Sequence, residues 1–230
     1  AFRMPTGLEV LGYNNNSDIY TSDPDLGPEE GLGWDIGFET KYKGFKAGLT
    51  YFEMDWKDRI VSEYVSGGWG GMKAEYVYKN ADDEVKFRGI EGNVSYDLGE
   101  AFGWDFMLRP YVNFTHMLKY ENESGSDIAK TRDWTTAFGV NYSHPSIGFD
   151  ADLTVTYLGK QYDYTGITNE ETGDNYIVDL CLIKTLYEAD NYGKLSAKLD
   201  LRNIFDELYD YSYGFPMNGR SFFLSLMWNY

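Results

Sequence analysis

A chain of 230 residues with 37 acidic and 20 basic side chains carries a formal charge of −17, which leaves no basic face for a phosphate backbone and excludes nucleic acid as a partner. Aromatic residues make up 18% of the chain, 21 of them tyrosine, beside 25 glycines and a lone cysteine, Cys181; this suits strands and tight turns and excludes an internal disulfide framework. No apolar run of about 20 residues exists to form a transmembrane helix, yet a mean hydropathy of −0.48 is compatible with a membrane barrel, which is apolar on one face only.

The dominant period is two. In chain order it predicts about nine strands, at 31–42, 45–65, 84–98, 104–120, 131–143, 149–159, 175–187, 194–205 and 220–230. Within the first, Trp34, Ile36, Phe38, Thr40 and Tyr42 alternate with Asp35, Gly37, Glu39 and Lys41. The stripe Trp104, Phe106, Leu108, Pro110, Val112, Phe114, His116, Leu118 and Tyr120 marks the fourth, and Phe222, Leu224, Leu226, Trp228 and Tyr230 the last.

The connections alternate in length. Short turns at 43–44, 99–103, 144–148 and 188–193 are interleaved with long polar links at 1–30, 66–83, 121–132, 159–174 and 206–219. This rhythm is that of an antiparallel up-and-down transmembrane β-barrel, with tight periplasmic turns and longer extracellular loops, and a Greek-key sandwich has no reason to keep it. The Trp/Phe/Leu stripes then face lipid, and Asp, Lys, Arg and Asn face the lumen. Aromatic residues gather at the stripe ends, with Trp104, Tyr142, Phe149, Trp228 and Tyr230 at one level and Tyr120, Trp134, Tyr157 and Tyr176 at the other, as two interfacial girdles would. The acids of the long links read as solvated loop residues. A second reading has them bridge through divalent cations to lipopolysaccharide phosphates.

Nothing points to an enzyme or a resident cofactor. His116 and His144 are the only histidines, no CxxC or HExxH spacing occurs, and the acid pairs sit in solvated links, where their pKa values are not displaced enough for acid–base work. Ala1-Phe2-Arg3-Met4-Pro5 lacks both the charged and the apolar region of a signal peptide, and reads as a point inside a longer protein.

Three segments resemble TonB-dependent outer-membrane receptors of the siderophore-receptor type. Phe2, Arg3 and Pro5, followed by Pro24, Leu26, Pro28 and Glu29, match an FRAP-like and an NPxLxPE-like pattern, from which Met4 and Asp23 depart. Leu49-Thr50-Tyr51-Phe52, then Asp55, Asp58 and Ile60, and Arg88-Gly89-Ile90-Glu91 form the second. The third contains Asn203, Phe205, Asp206 and Tyr209, then Pro216, Gly219 and Arg220, with Asn218 where proline is usual, and a terminal Tyr230 behind alternate apolar residues, like the signal read by barrel-insertion machinery. The resemblance implies that 1–230 is the C-terminal portion of a barrel of about 22 strands with a plugged lumen. The plug, about thirteen strands and the segment that meets the TonB energy-transducing complex would lie outside it. It also implies an outer-membrane location with a periplasmic C-terminus, lipid and lipopolysaccharide as neighbours, and import of a metal chelate.

A ferric siderophore is the first expectation for cargo, with cobalamin or another metal chelate behind it. Haem receptors of the family carry a histidine between the two halves of the first motif, and none lies between Pro5 and Asp23. Ligand-contact candidates are Tyr13, Trp69, Tyr162, Tyr164, Tyr211 and Tyr213, whose rings could stack on an aromatic chelate or pin loops to one another, and Arg3, which could meet an anionic chelate. Two other readings remain: a passive porin-like channel, which would lack the motifs, and a soluble all-β carbohydrate-binding domain, which would need no detergent.

Overall fold

The computed structural model of the chain describes residues 1–122, 125, 127–164 and 169–230. In chain order the first strands are β1 (Phe2–Arg3), β2 (Tyr13–Asn14), β3 (Asp18–Ser22), β4 (Glu29–Tyr42), β5 (Phe45–Lys57), β6 (Ile60–Ser66), β7 (Ala74–Asn80), β8 (Val85–Tyr96) and β9 (Met107–Asn122). They are followed by β10 (Trp134–His144), β11 (Phe149–Leu158), β12 (Gln161–Tyr164), β13 (Asn169–Thr172), β14 (Asn175–Ala189), β15 (Gly193–Arg202), β16 (Asp210–Ser212), β17 (Phe215–Pro216) and β18 (Ser221–Asn229). Two five-residue helices, α1 (Gly7–Leu11) and α2 (Leu98–Phe102), complete the elements used below.

The nine expected strands are present as β4, β5, β8, β9, β10, β11, β14, β15 and β18, hydrogen-bonded in that order, with the short β1 added beside β4. Each pair from β9 to β18 is antiparallel, in continuous register except for one bulge between Thr185 and Tyr187. The register sorts side chains by face. One row runs Pro110–Val140–Leu153–Leu180–Leu201–Phe222 and the next Leu108–Tyr142–Ala151–Leu182–Leu199–Leu224. On the opposite face the row Arg109–Asn141–Asp152–Cys181–Asp200 is polar almost throughout. There Arg109 donates to Asn141 Oδ1 at 3.1 and 3.2 Å, the Tyr111 and Thr154 hydroxyls share a 2.6 Å bond, and Lys198 pairs with Asp200 at 2.9 Å.

Among the described residues the buried hydrophobic side chains are Ala74, Val85 and Ile177 alone, while Phe222, Leu224 and Leu226 are 75%, 74% and 70% exposed. A water-soluble sandwich would seal such rows between two layers. A soluble carbohydrate-binding domain would need such a seal, so that alternative is not favoured.

The chain divides into two compact units. One, of residues 36–51, 89–118 and 129–230, holds β10, β11, β14, β15 and β18 with most of β8 and β9, the second half of β4 and the first half of β5, and the hairpins β12–β13 and β16–β17. Its short turns are tight: Lys43 and Gly44 both have positive φ, and a Cβ on Gly44 would lie 2.5 Å from the Asp97 carbonyl. The 99–103 turn is α2, capped where Asp97 accepts the Glu100 N–H at 3.1 Å, which is why β8 ends at Tyr96 rather than 98 and β9 starts only at Met107. Near this end Trp104, Phe106, Tyr142 and Phe149 form a chain of ring contacts at 5.0 to 6.1 Å. His144, expected within the turn, ends β10 with its ring 5.8 Å from Phe106. At the other end Trp134 packs on Phe114 and His116, and Tyr157 on Tyr176.

The other unit, of residues 1–35, 52–88 and 119–128, corrects three expectations. The strand expected at 45–65 is two strands: Asp58 adopts φ +54, ends β5, and turns β6 into a separate four-stranded sheet of order β2-β3-β7-β6. The links 1–30 and 66–83 supply the rest of that sheet, so they are not plain loops. β3 and β7 pair parallel, because two strands from different links meet there without a hairpin between them.

Candidate functional site

The ligand-contact candidates sit on the long links, which form one cluster in each unit. In the unit containing residue 1, Arg3 sits on β1 opposite Glu29 of β4. Its Nε and Nη2 donate to the two Glu29 oxygens at 2.8 Å each, and its Nη1 reaches Glu9 at 3.0 Å. Glu29 Oε1 also accepts the Ile60 N–H at 2.8 Å, and Glu9 closes a capping box with Thr6. The candidate Arg3 is thus neutralised by two carboxylates, and the first motif ties β1, α1, β4 and β6 together. Within its second half, Asp25 donates its N–H to Asp23 Oδ1 at 2.8 Å in an Asx turn around Pro24, and Leu26 donates to the Asp23 carbonyl at 3.1 Å. Asn80 secures the segment before Pro28: it accepts from Gly27 N at 2.7 Å and donates to Gly27 O at 3.1 Å and to Asp58 O at 2.6 Å.

The candidate Tyr13 belongs to a ladder. It lies opposite Tyr20, Tyr20 opposite Tyr76, and Tyr76 opposite Tyr64, one tyrosine on each strand of the small sheet. Ring centroids are 4.4 Å apart for Tyr13–Tyr20 and 4.9 Å for Tyr20–Tyr76, with Tyr78 5.5 Å from Tyr20. Burial pushes the Tyr20 phenol up to about 12. Trp69 stands apart, mostly exposed, in the 67–71 turn.

In the unit containing residue 230 the hairpins β12–β13 and β16–β17 meet. Asp163, 4% exposed, accepts the Tyr213 N–H at 2.6 Å and the Ser212 hydroxyl at 3.1 Å. Gln161 Nε2 donates to the Tyr211 carbonyl at 2.7 Å. Arg132 donates to the carbonyls of Gly159 at 2.8 Å and Tyr211 at 3.0 Å, and its guanidinium lies 5.6 Å from the Tyr211 ring centroid. Burial lowers the pKa of that guanidinium, which stays charged at any physiological pH. The structure therefore groups Tyr211 and Tyr213 with β12, which carries the half-exposed Tyr162. Tyr164 ends β12, and its side chain lies outside the described residues.

The C-terminal motif folds the link that carries these rings. Asn203, buried and at φ +49, accepts Glu207 N at 2.8 Å and donates to Glu207 O at 2.9 Å, while its own N–H meets Asp179 Oδ1 at 2.7 Å. Asp206 accepts the Arg220 N–H at 2.7 Å, and a Cβ on Gly219 would fall 2.6 Å from the same carboxylate oxygen. The two halves of the motif thus meet across the link, and the backbone of Tyr209 accepts Met217 N at 2.9 Å between them. Phe205 and Pro216 are exposed, and Tyr230 lies beyond β18. On β8, Arg88 pairs with Glu53 at 2.7 Å, Gly89 is buried and Glu91 is exposed. Gly219→Val is expected to lower unfolding stability by about 1–3 kcal/mol, since one side of the clash is a loop-organising carboxylate; Asp206→Ala in the same background should reduce the added cost, and equilibrium denaturation checks both.

The family model for the TonB dependent receptor-like β-barrel matches residues 1–204. The chain belongs to that family. Its sequence is 28% identical to the ferric enterobactin receptor of Pseudomonas aeruginosa over 215 residues, covering 86% of this chain and 27% of that protein, and 28% identical to the ferrienterobactin receptor of Escherichia coli over 184 residues, covering 72% and 24%. The chain spans about a quarter of the length of these relatives. A crystal structure of the Pseudomonas aeruginosa ferric enterobactin receptor with enterobactin superposes with a TM-score of 0.69 at 26% identity, over 90% of this chain and 32% of that one. The siderophore receptor PirA of Acinetobacter baumannii superposes at 0.70 and 19% identity, over 91% and 33%, and supports the fold. The sheet is thus wall from a transmembrane barrel of the outer membrane, in a family of transport receptors rather than enzymes: its apolar rows face lipid and its polar rows the lumen.

Sequence reasoning missed Arg132, Gln161, Asp163, Asn80 and the partners of Tyr13. A signal was present for some of them. Gln161-Tyr162-Asp163-Tyr164 and Tyr76-Val77-Tyr78 alternate within links that were read as loops. In the first Gln161 and Asp163 are buried and Tyr162 is half-exposed, the reverse of the usual assignment.

Proposed function

We propose that residues 1–230 form the C-terminal barrel portion of a receptor that takes up a ferric siderophore of the anionic catecholate class, with the long links extracellular and the C-terminus periplasmic. The observation that carries this reading is Arg132. In an acidic chain, Arg3, Arg59 and Arg88 each face a carboxylate. Arg132, among the described residues, bonds carbonyl oxygens only. Of its five N–H donors these two bonds leave three for a ligand, beneath an exposed tyrosine ring. A guanidinium beside an aromatic face suits a chelate that is both aromatic and negatively charged. Energy for import would come from the TonB complex, acting through parts of the protein outside this chain.

Arg132→Ala in the full-length receptor is expected to weaken ferric enterobactin binding about 10- to 100-fold, the loss of a hydrogen bond to a charged group at about 1.5–3 kcal/mol, and Arg132→Lys should recover part of it. Quenching of receptor tryptophan fluorescence reads the affinity. Absence of saturable quenching in the unmodified receptor, or an affinity indifferent to Arg132→Ala, would overturn the reading.

A further inference from the structure

The hairpins β12–β13 and β16–β17 belong to separate two-stranded sheets, and a two-stranded hairpin alone is marginally stable. They are joined by side chains from one to the backbone of the other. Asp163 lies on β12, buried at 4% exposure, and both its oxygens are used by the β16–β17 hairpin: Oδ2 by the Tyr213 N–H at 2.6 Å and by the Ser212 hydroxyl at 3.1 Å, Oδ1 by that hydroxyl at 3.2 Å. Gln161, equally buried and two residues away on the same face of β12, holds the Tyr211 carbonyl. A buried carboxylate without donors is costly, so the two hairpins separate only by exposing or orphaning Asp163.

We propose that Asp163 is a positioning residue that fastens the two hairpins into a single moving body and so holds the Tyr211 ring over Arg132. The inference rests on the proposed function in one respect, that this body meets ligand. The hydrogen bonds of Asp163 go to Tyr213 and Ser212 and none goes to Arg132, on which the carboxylate acts through its charge alone. The strands 161–164, 169–172 and 210–216 then part from their neighbours as one unit, and ligand release is limited by that joint opening.

The test uses the full-length receptor in detergent, with backbone hydrogen exchange read at 161–164, 169–172 and 210–216. In the ligand-free state Asp163→Ala should speed exchange in both hairpins by about tenfold or more while β9 to β11 stay unchanged. Asp163→Asn, which keeps one accepting oxygen, should give a smaller rise, again in both hairpins, and serves alone if the alanine variant fails to assemble. With ferric enterobactin as probe, the off-rate should rise about tenfold with the on-rate unchanged, a split that simple loss of barrel stability does not produce. A rise confined to one hairpin, or none, overturns the coupling. Because exchange is read without ligand, failure of the unmodified receptor to bind ferric enterobactin would defeat the functional reading while the coupling is still decided.

Discussion

Leu153→Arg should destabilise the barrel by about 2–4 kcal/mol, the depth-dependent cost of arginine at the bilayer midplane on a lipid-facing strand position. Leu153 stands halfway along β11, between Val140 and Leu180 in the apolar row, four residues from Phe149 on one side and four from Tyr157 on the other. No acid lies in its row from Pro110 to Phe222, so the guanidinium would meet hydrocarbon and no partner. Asn113→Arg, on the polar face of β9, is the control and should stay within about 0.5 kcal/mol, since that side chain reaches a wet lumen. Urea unfolding of the full receptor in lipid vesicles measures both. Equal tolerance of the two substitutions would mean that the apolar rows do not contact lipid.

Glu29→Ala is the second large effect. The side chain is nearly buried and serves three donors, two from Arg3 and the Ile60 N–H. Its removal leaves the part-buried Ile60 N–H without that acceptor and Arg3 with Glu9 alone. A fully buried pair broken this way loses about 3–5 kcal/mol; Arg3 keeps more than a third of its side chain in solvent, so about 2–3 kcal/mol is expected. Glu29→Gln retains an acceptor for Ile60 and should cost about half as much. Protease cleavage within 4–16 should accelerate in step with the measured loss. A pH dependence accompanies the same cluster. The Arg3 guanidinium holds the Glu9 carboxyl below the usual range, so the unfolded chain takes up a proton first as pH falls. Stability from this pair is complete above the ordinary carboxyl pKa of about 4.3 and drains away as pH drops through the lower folded value. Glu9→Gln should flatten that part of the profile.

The strands were legible because a barrel wall imposes a strict period of two. Each residue of β9 or β11 faces either hydrocarbon or water, and that choice is written in its side chain. The motifs identified the family, but not what their residues do. Arg3 reads as a free cation until β1 places it beside Glu29, and Gly219-Arg220 reads as a strand-end pair until the link folds back on Asp206. Such meetings join positions 26 and 14 residues apart by the path of the backbone, which no local pattern encodes.

The amino-acid order by itself determined the number of membrane strands, their facing, and which connections are short, because these follow from alternation and from the turn residues at each end. Only the tertiary structure decided that β5 and β6 part at Asp58, that four separated tyrosines form one ladder, and that Arg132, among the described residues, bonds carbonyl oxygens rather than a carboxylate. The reason is physical: facing depends on the solvent each side chain meets, whereas pairing depends on which distant backbone segments the long links bring within hydrogen-bonding reach.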